Sequence, residues 1–103
     1  MTSTSPTYRD DRAHVFHSWS AQATLDPMVV AGAGGSWFWD EDGRRYLDFS
    51  SQMVNMNIGH QHPRVVEAIR KQAETLCMVA PGHAVAPRST LARMLAERAP
   101  GDL

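Results

Sequence analysis

Cysteine, lysine and long apolar runs are all scarce in this 103-residue sequence. The single cysteine, Cys77, excludes an internal disulfide and predicts a buried or half-buried structural thiol within a helix. The longest apolar runs, such as residues 28–31, are far shorter than the roughly 20 residues needed to cross a bilayer. We therefore expect no membrane partner.

An excess of charge of either sign is also lacking. Ten Lys plus Arg residues against eleven Asp plus Glu leave a net charge of −1, and no block of like charge occurs. Because nucleic-acid binding relies on clustered cations, we expect no nucleic-acid partner. The polar first residues have neither the basic nor the apolar region of a secretory signal, which favours a cytoplasmic location.

Local patterns predict a tail, a small sheet and two helices. Residues 1–12 lack apolar periodicity and predict a disordered tail, so the folded segment is expected to span residues 13–103. The elements expected within it are a loop over 14–22, a strand over 28–31, a hairpin over 36–48 with its turn at 40–43, a strand that breaks into a loop over 49–59, and helices over 63–78 and 87–98.

Candidate metal and phosphate sites are weak. His60 and His62 have no neighbouring Cys, Asp or Glu to complete a metal site, so His60 is expected to pack or hydrogen-bond locally and His62 to cap the following helix. The glycine-rich residues 32–35 depart from the G-x-G-x-x-G spacing, because position 37 is Trp. The aromatic residues 37–39 predict half-buried sheet packing.

Several short motifs in the same region combine into a family pattern. The residues that carry it are Gly43, Tyr46-Leu47-Asp48, Asn57-x-Gly59-His60, His62-Pro63, Val65-Val66-x-Ala68-Ile69 and Gln72. Together they resemble the opening of the class III aminotransferases, and nearly the whole chain from about Val15 onward follows that pattern. Each motif alone is weak, whereas the combination is specific.

The resemblance implies a fold, a cofactor and an assembly. The fold would be α+β, namely the amino-terminal part of the small domain of a type I pyridoxal-phosphate enzyme of the aspartate-aminotransferase kind, with a β-hairpin of short antiparallel strands followed by two helices. The parent enzyme would be a homodimer that binds pyridoxal 5′-phosphate in a large domain absent from this sequence. We do not expect this chain alone to bind the cofactor.

The resemblance also implies which residues line the substrate pocket. The loop from Ser51 to Asn55 corresponds to the substrate side of the active site, with Met53 and Val54 facing the amine, and many family members carry glycine where this chain has Ser51 and Gln52. The stretch His17 to Ser20, which contains Trp19, resembles the segment that closes over the same pocket and is nearest to transaminases of taurine or β-alanine. The expected substrate-binding residues are therefore Trp19, Met53 and Val54, with no catalytic, cofactor-binding or metal-binding residue in this chain.

Aminotransfer needs a lysine that binds the cofactor covalently and moves a proton on the substrate. The only lysine, Lys71, follows Glu67 by four residues on a predicted helix, which indicates an exposed ion pair instead. By the resemblance, the Schiff-base lysine and the phosphate-binding turn lie beyond Leu103. The expected parent activity is transfer of an amino group from a small amine or amino acid to a keto acid such as pyruvate.

Under this interpretation the chain supplies pocket wall and dimer contacts and is inactive alone. The competing interpretation is a non-catalytic binding or interaction module left by truncation, with Trp19, Trp37 and Trp39 exposed for a partner. A small metal protein built on His60 and His62 ranks last. In either main case the two helices would expose apolar surface and the isolated chain would be marginally stable.

Overall fold

The computed structural model describes residues 3–101 and has an α+β fold. The described chain divides into two compact units between Val66 and Glu67. No helix among residues 3–101 is long and apolar enough to cross a bilayer. The elements are α1 (Pro6–His14), a 3-10 turn (Gln22–Thr24), β1 (Val30–Gly34), β2 (Trp37–Asp40), β3 (Arg45–Leu47), α2 (Ser51–Val54), α3 (Pro63–Thr75) and α4 (Ala86–Ala96).

Helix α1 replaces most of the disordered tail that the sequence predicts over residues 1–12. The Ser5 hydroxyl accepts a hydrogen bond from the Tyr8 amide at 3.2 Å, and Pro6 stands in the first turn. Both are local signals that favour a helix start. The tail prediction rested on missing apolar periodicity and is corrected here, except at residues 1–2, which lie outside the described residues.

The three strands form one antiparallel sheet in the order β1-β2-β3. Phe38 lies opposite Tyr46, and their rings stack with centroids 5.3 Å apart. The predicted hairpin is confirmed, while the strand expected over 28–31 lies slightly later, in β1. Phe38 and Trp39 are half-buried as expected, whereas Trp37 is exposed with the Arg45 guanidinium 5.1 Å from its ring centroid.

Gly32 allows a close approach between β1 and the side chain of Trp39 on β2. The two residues are cross-strand partners, and a Cβ atom added at Gly32 would lie 2.8 Å from Cζ2 of the indole. Carbon atoms do not approach that closely without displacement, so the glycine leaves the space that the ring occupies. The glycine-rich segment therefore has a packing role at this position.

Asp40 organises the hairpin turn and is itself buried. Its Oδ1 accepts hydrogen bonds from the amides of Asp42 and Arg44 at 3.0 and 2.9 Å, and its Oδ2 accepts one from the Tyr46 hydroxyl at 2.8 Å. The Tyr46 bond and the two amide bonds lower the pKa of Asp40 below its ordinary value because they stabilise the carboxylate. Gly43 completes the turn with φ of 81°, a conformation that glycine adopts at little cost.

The helices of the second half begin where the sequence predicts and end earlier. Helix α3 begins at Pro63 as expected but ends at Thr75, where the Gln72 side-chain amide donates to the Leu76 carbonyl at 2.8 Å. Cys77 consequently lies outside the helix and is exposed, so its prediction as a buried helical thiol is wrong. Helix α4, with Pro87 in its first turn, closely matches its predicted range.

Buried apolar side chains are missing from the described part of the chain. Among residues 3–101 no hydrophobic side chain is buried. Large apolar side chains such as Phe16, Phe49 and Met78 are at least 80% exposed. Exposed apolar surface on both long helices was expected, and Ile69 and Leu95 are examples. Local order in this chain therefore depends on its backbone ladder, on polar side-chain contacts and on half-buried aromatic side chains in the sheet.

Candidate substrate-pocket segments

Trp19 lies at the tip of a tight turn formed by residues 17–20. Its side chain is 89% exposed, and its backbone has φ of 58°. A bulky residue other than glycine rarely adopts such a left-handed conformation, which needs support from neighbouring contacts. The turn therefore presents an apolar side chain to solvent on a constrained backbone.

The side chain of Gln22 supplies that support. Its Oε1 accepts the His17 amide at 3.1 Å, and its Nε2 donates to the carbonyls of His17 and Ser20 at 2.5 and 2.9 Å. One side-chain amide thus closes the turn from both ends. The sequence gives no indication of this role, because a single Gln in an aperiodic stretch has no characteristic pattern.

Helix α1 holds the same loop through three polar contacts. Arg12 donates from Nη2 to the Gln22 carbonyl at 2.6 Å, and His17 Nε2 lies 2.8 Å from the Asp11 carboxylate. The Tyr8 hydroxyl donates to Asp26 at 2.8 Å, and this bond raises the pKa of Tyr8 because it stabilises the protonated phenol. The residues predicted as a tail therefore help to position the turn of Trp19.

Met53 and Val54 lie in the one-turn helix α2 and are 62% and 77% exposed. Three non-glycine residues in this short segment, Ser51, Gln52 and Val54, have φ of 51°, 55° and 63°. Each such conformation costs on the order of 1–3 kcal/mol and persists only when other contacts fix it. This turn replaces the strand that the sequence predicts in the first half of residues 49–59.

Two of the positive φ values occur at positions where this chain departs from the family pattern. The resemblance gives glycine as a frequent residue at the positions of Ser51 and Gln52, and both residues have a backbone conformation that glycine adopts freely. This chain has Ser51 and Gln52 in that conformation, so its backbone is strained at two positions where glycine would not be strained. Strain of this kind often occurs at binding sites.

Asp48, at the end of the hairpin, fixes the strained turn. Its side chain is 3% exposed, its Oδ1 accepts the Gln52 amide at 2.9 Å, and its Oδ2 lies 2.6 Å from His60 Nε2. The Gln52 amide bond and the contact with His60 lower the pKa of Asp48 below its ordinary value. His60 is in turn bound through its backbone to Gly35, with reciprocal hydrogen bonds of 2.7 and 3.0 Å.

The local contact predicted for His60 is wrong, because its ring contacts Asp48, twelve residues earlier, and its backbone pairs with Gly35. The prediction for His62 needs a correction. Its backbone carbonyl, rather than its side chain, accepts the amides of Val65 and Val66 at 3.0 Å, and its Nδ1 is buried without a hydrogen-bond partner. Among residues 3–101 no group of three or more His, Cys, Asp or Glu side chains could hold a metal ion.

The structure gathers the expected site residues in two groups. Met53 and Val54 are neighbours on the turn anchored by Asp48, and Trp19 lies on the turn closed by Gln22. Within residues 3–101 no hydrogen bond or ion pair joins the two turns. The sequence motif Tyr-Leu-Asp contains Asp48, and it is the one signal in the sequence that points to this anchor.

The described residues do not fit pyridoxal phosphate. Lys71 is 69% exposed and lies 3.4 Å from Glu67, which confirms the predicted surface ion pair. The space above Gly32, in the glycine-rich strand, is filled by the Trp39 ring, so no phosphate cradle exists there. A cofactor of this kind would need its covalent and phosphate contacts from other parts of an enzyme.

The arrangement of a three-stranded sheet followed by helices is that of known pyridoxal-phosphate transaminases. The taurine:2-oxoglutarate aminotransferase of Bifidobacterium kashiwanohense, solved with that cofactor and glutamate, matches with a TM-score of 0.82 and 40% identity over 88% of this chain. An (S)-enantioselective omega-transaminase of Thermomicrobium roseum matches with a TM-score of 0.85 and 36% identity over 92% of this chain.

The family model for class-III aminotransferases matches residues 19–103, and the chain belongs to that family. Sequence relatives include an acetylornithine aminotransferase of Methanocaldococcus jannaschii, 44% identical over 69% of this chain. A probable 4-aminobutyrate aminotransferase of Bacillus subtilis is 43% identical over 73% of this chain. The chain spans about a fifth of the length of these relatives and solved structures, with 17–18% of the two sequences and 20–22% of the two structures covered.

Proposed function

We propose that this chain forms one wall of the substrate pocket of a class III aminotransferase, which moves an amino group from a small amine or amino acid to a keto acid. The observation that carries the proposal is the strained turn of Met53 and Val54, which holds two apolar side chains in solvent. An exposed apolar pair on an anchored turn is costly unless a ligand or another surface covers it.

The chemistry of these side chains favours the apolar part of a small donor. Met53, Val54 and Trp19 carry no charge and are 62%, 77% and 89% exposed. Pockets for small molecules are lined mostly by such apolar groups, with a few polar groups that orient the ligand. A carboxylate or sulfonate on the donor would therefore need cationic partners outside these two turns.

The names of two similar structures support one class of donor. One similar structure acts on taurine and 2-oxoglutarate, and another is named an omega-transaminase. These support a small ω-amino acid such as taurine or β-alanine as donor, with pyruvate or another keto acid as acceptor. The complete enzyme would be a cytoplasmic homodimer that binds pyridoxal 5′-phosphate through segments other than this chain, and the dimer would cover part of the exposed apolar surface.

Substitution in the complete enzyme tests the pocket assignment. Met53→Ala and Val54→Ala are expected to lower kcat/KM for a small amine about tenfold or more, because each removes apolar contact with the donor. Met78→Ala is the matched control, since Met78 is 85% exposed but lies outside both turns. Equal effects of Met53→Ala and Met78→Ala on donor kinetics would contradict the assignment.

The expected inactivity of this chain alone has a separate test. The chain is incubated with pyridoxal phosphate, an amine and a keto acid, then treated with borohydride and mapped by mass spectrometry. We expect no turnover, and in the complete enzyme Lys71→Gln should retain activity because Lys71 lies in an exposed ion pair. A trapped cofactor on Lys71 together with turnover would show that the chain carries its own catalytic lysine.

A non-catalytic interaction module is the second candidate, and the exposure of aromatic side chains favours it. Phe49, Trp19 and Phe16 are 93%, 89% and 80% exposed. The coding sequence after Leu103 discriminates between the candidates. Continuation into a strand and a glycine-rich turn would support the enzyme, whereas a stop codon followed by unrelated sequence would support the module.

A further inference from the structure

Asp48 connects the end of β3, the turn of residues 51–54 and His60 within the first unit. It follows β3, one of its oxygens accepts the Gln52 amide, and the other contacts the His60 ring. Its side chain is 3% exposed, and that of His60 is 13% exposed. A carboxylate so well hidden is stable only when its oxygens have hydrogen-bond partners, and here both do.

The turn of residues 51–54 needs an external restraint. Gln52 has φ of 55° and ψ of −107°, and Met53 has φ of −97° and ψ of 43°. Backbone hydrogen bonds from Val54 to Ser50 and from Asn55 to Ser51 close the turn, and the Asp48 side chain holds it from outside by accepting the Gln52 amide. A non-glycine backbone in such a conformation relaxes unless its surroundings fix it, so this bond is central to the shape of the turn.

The His60 ring makes Asp48 a rigid anchor. His60 exchanges backbone hydrogen bonds with Gly35 in both directions, and Gly59, beside it, has φ of 84° and would place a Cβ 3.1 Å from the Gly35 carbonyl oxygen, a tight contact. The ring position is therefore set by the edge of the sheet rather than by the turn. Its contact with Oδ2 orients the carboxylate so that Oδ1 points to the Gln52 amide.

We propose that Asp48 and His60 are a positioning pair that sets the backbone of residues 51–54, and through Met53 and Val54 determines which amine donors fit. This inference rests on the proposed function. Neither residue touches the donor, and both act through the turn. In this chain the pair restrains a turn at which many family members carry glycine.

The direct test measures the turn itself. Asp48→Ala in the complete enzyme should raise the hydrogen-exchange rate of the amides of residues 51–55 about tenfold or more, because the Gln52 amide loses its acceptor. Asp42→Ala, at an exposed position of the hairpin turn, is the matched control and should leave these amides unchanged. Unchanged exchange at residues 51–55 in Asp48→Ala would overturn the proposal whether or not the enzyme transfers amino groups.

The second readout is donor discrimination, with taurine and homotaurine as probes that differ by one methylene. Asp48→Ala should change the ratio of their KM values about fivefold or more, with a smaller effect on kcat. Asp48→Asn and His60→Gln should move the ratio back toward wild type, because each keeps a polar atom for the same partner, whereas His60→Phe should not.

The outcomes separate the two proposals. A wild-type enzyme that transfers no amino group from any amine refutes the proposed function and leaves the exchange experiment to decide on the pair. An active enzyme in which Met53→Ala changes the donor ratio but Asp48→Ala and His60→Phe do not refutes the positioning pair alone. Failure of Asp48→Asn to restore protection of the turn would also contradict it, since Asn retains the acceptor.

Discussion

The contact between Gly32 and Trp39 gives the sharpest test of the sheet. A Cβ atom at Gly32 would lie 2.8 Å from Cζ2 and 2.9 Å from Cε2 and Nε1 of the indole, well inside contact distance. The ring is rigid and half-buried, so Gly32→Ala must either rotate Trp39 or separate β1 from β2. Gly34→Ala is the matched control, because its Cβ would meet the same ring at 3.9 Å, an ordinary contact.

The expected magnitude follows from this geometry. Overpacking by one methyl group costs about 1–3 kcal/mol, which exceeds the roughly 0.4–1 kcal/mol gained when alanine replaces glycine without backbone strain. Gly32→Ala should therefore destabilise the β1-β2 pairing. Gly34→Ala should be neutral or slightly stabilising, since it receives the entropic gain without the clash.

Hydrogen exchange measured on peptides covering residues 30–40 of the complete enzyme reports the difference. After subtraction of the entropic gain, the net cost is centred near about 1.3 kcal/mol, so exchange of the β1-β2 amides should be about tenfold, and at most about 80-fold, faster in Gly32→Ala than in wild type. Gly34→Ala should exchange at the wild-type rate or more slowly. Equal protection in the two variants would refute the reasoning and show that the indole has free space at Gly32.

Two further outcomes are expected. Because the folded-state pKa of Asp40 is lowered, its contribution to the hairpin is complete above about pH 4 and is lost as the pH falls through the lowered value. Exchange of the hairpin amides, corrected for intrinsic rate, should accelerate as the pH falls below about 4 in wild type and less in Asp40→Asn. The isolated 103-residue chain should show no cooperative thermal transition in calorimetry, because no apolar side chain is buried among residues 3–101. A sharp endotherm would contradict this.

The hairpin and the two long helices were predictable because their signals are local and periodic. The turn at residues 40–43 ends in glycine, and the proline at position 63 begins a helix with apolar residues at helical spacing. Each of these features influences the conformation of residues that are only a few positions away in sequence. Pattern rules describe such distances well, so the element types were right and only the ends differed.

Helix α1 and the turn at residues 51–54 were missed for different physical reasons. Helix α1 has no buried face, so the sequence shows no apolar periodicity there. Its start depends on a cap at Ser5 and on Pro6, two local signals that the prediction did not use. The turn depends on a hydrogen bond to Asp48 and on a histidine twelve residues from that aspartate, and neither leaves a periodic trace in the sequence. Cys77 is exposed just beyond α3, which ends at Thr75, before the predicted end of the helix.

The candidate pocket residues are predicted from the family pattern, whereas the hydrogen bonds that anchor their backbones are evident only in the structure. Trp19, Met53 and Val54 are exposed and make few contacts, so only resemblance marked them. Gln22 and Asp48, which hold their backbones, act through single polar bonds rather than through an apolar core. With no buried apolar side chain in the described part to fix the turns, loss of one anchor cannot be absorbed by packing. Substitution of the two anchors should therefore disturb the pocket more than substitution of any exposed apolar neighbour.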